Sequence, residues 1–177
     1  FSRFNWDKDR VMQVEVPFSE AIVRKYPEQV AIVLAREKNG KVNPITIGWI
    51  MLTSHVPPMM AFSVGLTRYS LEVLREAGEC VIAFQSVLKS AEEILFGTQS
   101  GRMTDKLAES GAKTSPAKKV DSVLLDDAVA NFECRITGEF PTGDHVIFAV
   151  EIVASHINPD APGRLYTVAK GFKMTGI

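Results

Sequence analysis

The sequence predicts a mainly β protein with short helices, in which antiparallel strands form a barrel. Apolar, β-branched runs of strand length recur along the chain. Two pairs of them are joined by turn residues alone, Asn39-Gly40 in one case and Pro141-Thr142-Gly143-Asp144 in the other. The helical patterns between strands are short, so they serve as connections and not as a covering layer. This arrangement favours one barrel with helical decorations over a doubly wound sheet.

Length and composition indicate one ordinary globular domain. The chain has 177 residues, of which 46% are hydrophobic and 23% charged, and no internal repeat or linker is visible. The net charge of -1 provides no basic surface of the kind that binds nucleic acid or an anionic membrane. We therefore expect neither partner.

Cysteine usage and apolar patterning favour a cytoplasmic protein. Cys80 and Cys134 each lie in an apolar run, which predicts buried thiols and not a disulfide framework or a zinc site. The longest apolar stretch is interrupted by Pro57-Pro58 and is too short to span a bilayer. No signal peptide opens the chain, which begins at Phe1 without a Met and leaves open whether residues precede it.

The first half of the chain begins with a short helix over Phe18–Val23, which Pro27 stops, and continues with the hairpin at Asn39-Gly40. Its second strand is expected to continue over residues 45–54. A period of two then gives that strand two faces: Ile45, Ile47, Trp49 and Met51 on one, and Thr46, Gly48, Ile50, Leu52 and Ser54 on the other. A glycine inside a strand indicates either a bulge or the close approach of a ligand, and the pattern alone leaves both open.

The middle of the chain alternates strands and short helices. After Pro57-Pro58 comes the strand "MMAFSVG", then a helix that is predicted to start with Ser70 as its N-cap and to stop at Gly78. The buried strand "CVIAFQS" leads to a short helix over Ala91–Phe96. A long polar loop with a helical turn around Asp105–Glu109 comes next.

Two segments have the composition of an anion site. The free N–H groups at the start of the helix after Thr67, with Arg68 beside them, are suited to a phosphate; a plain capped helix with a solvated arginine is the alternative. Arg102 and Lys106 in "SGRMTDK" are either part of such a site or a solvated surface. No Rossmann or P-loop glycine motif, metal-ligand cluster or nucleophile elbow occurs in the sequence.

Taken in order, five segments resemble the flavin reductase-like domain family, which includes flavoredoxins and adopts an FMN-binding split barrel. The resemblance covers about residues 28–170. The segments are "NPITIGW" (43–49), "SHVPPMMAFSVG" (54–65), "TRYSLEVLREAGECVIAF" (67–84), "SGRMTDK" (100–106) and "GDHVIFAVEIV" (143–153).

This resemblance implies a homodimer that holds one FMN per subunit near the interface. Thr46, Gly48 and Trp49 would surround the isoalloxazine ring and ribityl chain, and Ser63 and Gly65 would extend that wall. Ser54, on the same predicted strand face, is counted with them. The phosphate would be held by a further set of residues: Arg68, Tyr69 and Ser70, with Arg102 and Lys106 closing over the same end.

One candidate catalytic residue comes from the same resemblance. His145, in Gly143-Asp144-His145, matches a residue near the open face of the flavin, where it would orient a nicotinamide donor or an acceptor. The alternative is a histidine at a hairpin end that is satisfied by backbone groups.

The implied function is an FMN-dependent oxidoreductase in which NAD(P)H reduces the flavin and the electrons pass to free flavin or another acceptor. Two alternatives stay open. One is a flavoredoxin-like electron carrier that receives electrons from a protein donor, and the other is a non-catalytic small-ligand barrel. The sequence does not decide the donor, the acceptor, or whether the flavin is prosthetic or exchanged.

Overall fold

The structure, a computed structural model, describes residues 13–176; the ends of the predicted domain at 1–12 and 177 lie outside the described residues. It has four α-helices in the described chain, namely α1 Phe18–Ala21 (continued by a 3-10 turn, Ile22–Lys25), α2 Tyr69–Ala77, α3 Ser90–Thr98 and α4 Lys106–Ser110. The strands are β1 Glu28–Gln29, β2 Ala31–Arg36, β3 Val42–Ile47, β4 Ile50–His55, β5 Pro58–Gly65, β6 Glu79–Gln85, β7 Thr114–Pro116, β8 Val123–Leu125, β9 Ala128–Thr142, β10 His145–Ile157, β11 Leu165–Ala169 and β12 Lys173–Gly176. The predicted mainly β fold with short helices is confirmed.

One large antiparallel sheet organises the chain. Its seven strands lie in the order β3-β2-β6-β9-β10-β5-β4, with a three-stranded sheet β1-β11-β12 and the small pair β7-β8 beside it. Both predicted hairpins are present, β2–β3 around Asn39-Gly40 and β9–β10 around Gly143-Asp144. The predicted short helices at 18–23, 91–96 and 105–109 are also confirmed, with boundaries shifted by a few residues.

The sheet must curl, because strands that are consecutive in the chain lie at its opposite edges. β3 and β4 are joined only by Gly48 and Trp49. Three peptide steps reach about 11 Å, whereas a flat seven-stranded sheet is roughly 29 Å wide between its edge strands. The two edges therefore come together at this joint. The Ser63 N–H donates to the Trp49 carbonyl oxygen at 3.0 Å, which extends the β4–β5 pairing up to the joint. The strands β3 and β4 do not pair with each other, which gives the split barrel.

This joint corrects the prediction of one strand over residues 45–54. The strand breaks after Ile47, and Thr46 and Ser54 belong to different strands at opposite edges of the sheet. The alternation of faces along 45–54 is therefore wrong. A period of two holds only within an unbroken strand.

The start of α2 corrects a second prediction. The helix begins at Tyr69, so that its N-cap is Arg68, which makes no side-chain cap. Ser70 is inside the first turn and buried, and its hydroxyl accepts a hydrogen bond from Asn43 Nδ2 at 2.8 Å. The other end is as predicted, because Gly78 takes the left-handed conformation (φ 68°) and its N–H donates to the Leu74 carbonyl oxygen.

Strand β2 is buried on both faces, which places it at the centre of the molecule. Ala31, Val33 and Ala35 face the main apolar cluster, where α2 packs, whereas Ile32 and Leu34 face a second cluster that includes the α3 residue Phe96. Two apolar layers thus hold α2 and α3 on opposite sides of the same strand.

The two cysteines are buried free thiols, as predicted. Cys80 of β6 and Cys134 of β9 are direct cross-strand partners, and both are inaccessible to solvent. The hydrogen bond to Cys134 and burial raise the pKa of the Cys80 thiol well above its ordinary value.

A fully buried carboxylate, Glu133 of β9, fixes the loop before β8. Its oxygens accept hydrogen bonds from the backbone N–H groups of Lys118, Lys119 and Val120 at 2.5–3.1 Å, and His156 Nε2 lies 2.6 Å from Oε1. Burial alone would raise the pKa of Glu133, but these hydrogen bonds lower it below its ordinary value. The ionised form is therefore the one that stabilises the fold.

We predict that Glu133→Gln lowers the free energy of unfolding at pH 7 by about 2–4 kcal/mol, because a neutral amide replaces several charge-assisted hydrogen bonds. The folded-state pKa is depressed, so the contribution is complete above the unfolded pKa of about 4.3 and is lost as pH falls through the folded-state pKa. Urea unfolding of wild type and variant at pH 7 and at acidic pH measures both effects.

The matched control is Glu139→Gln, which removes an exposed carboxylate that is paired with Arg75. We expect this change to lower the free energy of unfolding much less, because an exposed ion pair contributes little to stability. Equal effects of the two substitutions would contradict the structural role of Glu133.

Candidate functional site

A groove opens where the two edges of the sheet meet. It has three connected compartments, with cavity volumes of about 630, 350 and 110 Å³, which we call outer, middle and inner. Gly48, Trp49, Ser63 and His145 line both the outer and the middle compartment, and Arg68 lines both the middle and the inner. The groove therefore runs without interruption from the β9–β10 turn to the start of α2.

Small residues line the narrow part of this groove. A Cβ atom on Gly48 would meet only Glu28 Oε2 and the Gln29 carbonyl oxygen, both at ordinary contact distance, so packing within the described chain does not require glycine there. Gly48 lies in a bend between strands and not in a bulge. Its missing side chain consequently matters to any ligand that enters the groove.

An aromatic pair lies where the outer and middle compartments join. The ring centroids of Trp49 and His145 lie 4.6 Å apart, and Trp49 is 53% exposed. His145 Nδ1 lies 2.6 Å from Asp144 Oδ1, and this hydrogen bond lowers the pKa of the Asp144 carboxyl. Nε2 of His145 thus remains the ring nitrogen available to a ligand.

Thr46 presents only an acceptor to the middle compartment. Its hydroxyl donates to the Glu93 carbonyl oxygen at 2.5 Å, which uses its single proton. Behind it the Glu93 side chain is fully buried, and burial raises the pKa of this carboxyl to about 8. The wall of the groove beside Thr46 is therefore uncharged at neutral pH.

The inner compartment concentrates positive charge. Arg68 lies at the start of α2, whose first-turn N–H groups point out of the helix. Lys106, at the start of α4, is 3% exposed and donates to the carbonyl oxygens of Pro44 and Phe96. It forms no ion pair with any carboxylate of the described chain.

The ammonium of Lys106 is destabilised where it lies. Burial and the nearby Arg68 guanidinium lower the pKa of Lys106 to about 8, and Glu37 only partly opposes them. A bound anion would offset both unfavourable effects, because its negative charge favours the ammonium form. The inner compartment therefore has the electrostatics of an anion site.

The structure brings together most of the predicted site residues. Those that line the groove are Thr46, Gly48, Trp49, Ser63, Gly65, Arg68, Tyr69, Ser70, Lys106 and His145. Two of the predicted residues are not among those that line the three compartments. Ser54 lies far along β4, beyond the joint, and Arg102 pairs with Glu72 while its guanidinium lies 4.8 Å from the Tyr69 ring centroid.

Sequence reasoning missed the C-terminal wall of the middle compartment. Thr167, Gly171, Phe172 and Met174 line it, and Phe172 has a left-handed backbone (φ 58°) in the β11–β12 turn. The only turn signal in the sequence there is Gly171, which lies between two short segments of mixed polar and apolar residues. That signal is too weak to predict a hairpin that folds back over the groove.

Comparisons with known proteins agree on one family. The chain matches the flavin reductase like domain over residues 23–175. Among curated relatives, it is 27% identical to an NADH-dependent FMN reductase of Streptomyces nodosus subsp. asukaensis over 133 residues, which are 73% of this chain and 69% of that protein.

Solved structures share the fold. A flavoredoxin from Methanosarcina acetivorans superposes with a TM-score of 0.74 at 23% identity, covering 84% of this chain and 77% of that one. An FMN-binding protein from Thermus thermophilus gives a TM-score of 0.80 at 22% identity, covering 95% of each chain. The match to the family model over most of its length shows that the chain belongs to the flavin reductase like domain family.

Proposed function

We propose that this protein is an FMN-dependent oxidoreductase, an NAD(P)H-dependent flavin reductase that passes electrons to flavin or another acceptor. One observation carries the proposal: a buried lysine that pairs with no carboxylate of the described chain meets an arginine and a helix N-terminus at the inner end of the groove. Family membership supports a flavin-binding protein of the oxidoreductase type. The named FMN reductase among its relatives supports the finer assignment.

The residues of the groove fit the parts of FMN. Arg68, Lys106 and the first turn of α2 would hold the phosphate, whose negative charge would favour the buried ammonium of Lys106. Thr46 would accept a hydrogen bond from a ribityl hydroxyl or ring N–H, because its own proton is used. Gly48 and Gly65 would allow the flat ring to approach the backbone. Bound FMN would supply the hydride and electron-transfer chemistry.

His145 is proposed to contact the electron donor or the acceptor in the outer compartment. Asp144 accepts from its Nδ1, which fixes the ring and directs Nε2 away from the turn. Trp49 would offer the same ligand an aromatic surface.

We also propose a homodimer. The β4–β5 hairpin forms an edge of the sheet and exposes apolar side chains, with Met51 57%, Leu52 51% and Val56 92% exposed. An apolar groove of about 380 Å³ lies next to them and includes Met60, Phe84 and Phe132 among its lining residues. Because Met51 lines the outer compartment as well, a second copy docked here would complete the site.

A cytoplasmic location is proposed from the two neighbouring thiols, which are free. No helix in residues 13–176 has the length and apolar character that crossing a membrane demands.

Anaerobic addition of NADH and of NADPH to the FMN-loaded protein tests the function. We expect the oxidised-flavin absorbance to bleach with at least one of the two. A protein that takes up FMN but is bleached by neither would support a flavoredoxin-like carrier, and one that takes up no FMN would support a non-catalytic ligand barrel.

The phosphate assignment predicts that Arg68→Ala weakens FMN binding by about 10- to 100-fold, since it removes a charge-assisted contact of ~1.5–3 kcal/mol. Riboflavin lacks the phosphate, so its affinity should change much less. Calorimetric titration of both flavins into wild type and variant gives the two ratios. Equal losses for FMN and riboflavin would refute the assignment, and no loss for either would leave Arg68 as a solvated surface residue.

The same titrations at different pH values test the contribution of Lys106. A bound phosphate raises a lysine pKa that is about 8 in the free protein, so FMN binding takes up a proton above that pH. FMN affinity should then fall as the pH rises from 8, by up to about tenfold per pH unit. Riboflavin affinity should stay flat over this range, and a flat FMN profile would argue against Lys106 as a phosphate ligand.

A further inference from the structure

The inner compartment ends against a loop that is seated directly on a buried side chain. A Cβ atom on Gly101 would overlap Asn43 Oδ1 and lie 3.2 Å from Tyr69 Cδ1, so only glycine fits there. Asn43 is 3% exposed, and its Nδ2 donates to Ser70 Oγ of α2. The Asn43 side chain thus contacts both the loop at Gly101 and the start of α2 at Ser70.

A second contact joins the loop to α2 from the solvent side. The Arg102 guanidinium pairs with Glu72 and lies over the Tyr69 ring at 4.8 Å. Both charged side chains of the pair are more than half exposed, so the pair adds little stability by itself. The pair nevertheless connects the solvent-facing side of the loop to α2, whereas Gly101 contacts Asn43 on the buried side.

Residues 98–101 border the inner compartment and so bear on how far a ligand can extend beyond its first phosphate. The inner compartment holds about 110 Å³, between Arg68 and Ser70 on one side and residues 98–101 on the other. We take one phosphate to occupy it beside Arg68 and Lys106. A second phosphate with a nucleoside attached on that side would then meet residues 98–101, where Gly101 packs on Asn43.

We propose that Gly101, with the Arg102–Glu72 pair, is the specificity determinant that makes this site accept a flavin phosphomonoester and reject a flavin diphosphate dinucleotide. The inference rests on the proposed function, because it assumes that the phosphate of FMN occupies the inner compartment. It assigns the discrimination between FMN and FAD to the fit of one loop and not to contacts with the flavin ring, which the two ligands share.

Calorimetric titration of FMN and FAD into wild type and Gly101→Ala tests this role. We expect wild type to bind FMN at least about tenfold more tightly than FAD, and the variant to lower that ratio at least about tenfold, since the added methyl lifts the loop from Asn43. Gly138→Ala is the matched control: Gly138 is exposed, and a Cβ there meets no atom within 4 Å. It should leave the ratio unchanged.

Glu72→Ala provides a second variant that keeps the buried contacts intact. It frees the outer side of the loop, and we expect a smaller change of the FMN to FAD ratio in the same direction. If wild type binds both flavins equally, or if neither Gly101→Ala nor Glu72→Ala changes the ratio, the inference is wrong. A wild type that binds no FMN would overturn the proposed function itself, whereas FMN binding without preference would overturn only the role of the loop.

Discussion

The two-residue joint between β3 and β4 is the constraint on which the rest of the structure depends. Because Gly48 and Trp49 must connect opposite edges of a seven-stranded sheet, the sheet curls until those edges meet. Because β3 and β4 do not pair with each other, a groove opens along the seam between them. Trp49 at the joint and His145 at a hairpin end then lie side by side in this groove, although they are distant in sequence.

Charge in the groove is distributed so that the inner end, with Arg68 and Lys106, favours an anion, whereas carboxylates such as Glu28 and Asp144 line the outer compartment. Lys106 lies buried beside Arg68 with no carboxylate partner among residues 13–176, which is unfavourable until an anion binds. Glu93 is buried behind Thr46, where burial favours its protonated form. Glu133, by contrast, is ionised because backbone N–H groups surround it, and it serves the fold. The effect of burial on the charge of these three side chains therefore depends on the partners that each one has.

Local sequence patterns predicted the apolar runs that form the seven-stranded sheet, both of its hairpins and the short helices, because turn residues and periodicity act over a few neighbours. The break after Ile47 was missed, since Gly48 and Trp49 suit a continuous strand and only the sheet order forces them into a bend. The family resemblance located Arg68 and Lys106, but the pairing of Arg102 with Glu72 depends on how a loop seats against a helix. The wall that contains Phe172 was missed for a similar reason: it comes from a C-terminal hairpin with weak signals of its own.

The central claim is that the seam groove holds FMN with its phosphate in the inner compartment. A crystal structure of the protein grown with FMN tests this most directly. The account predicts phosphate oxygens within hydrogen-bond distance of Arg68, Lys106 and the first-turn N–H groups of α2, with the flavin ring running toward Trp49 and His145. A flavin bound elsewhere, or with its phosphate at the outer end of the groove, would contradict it.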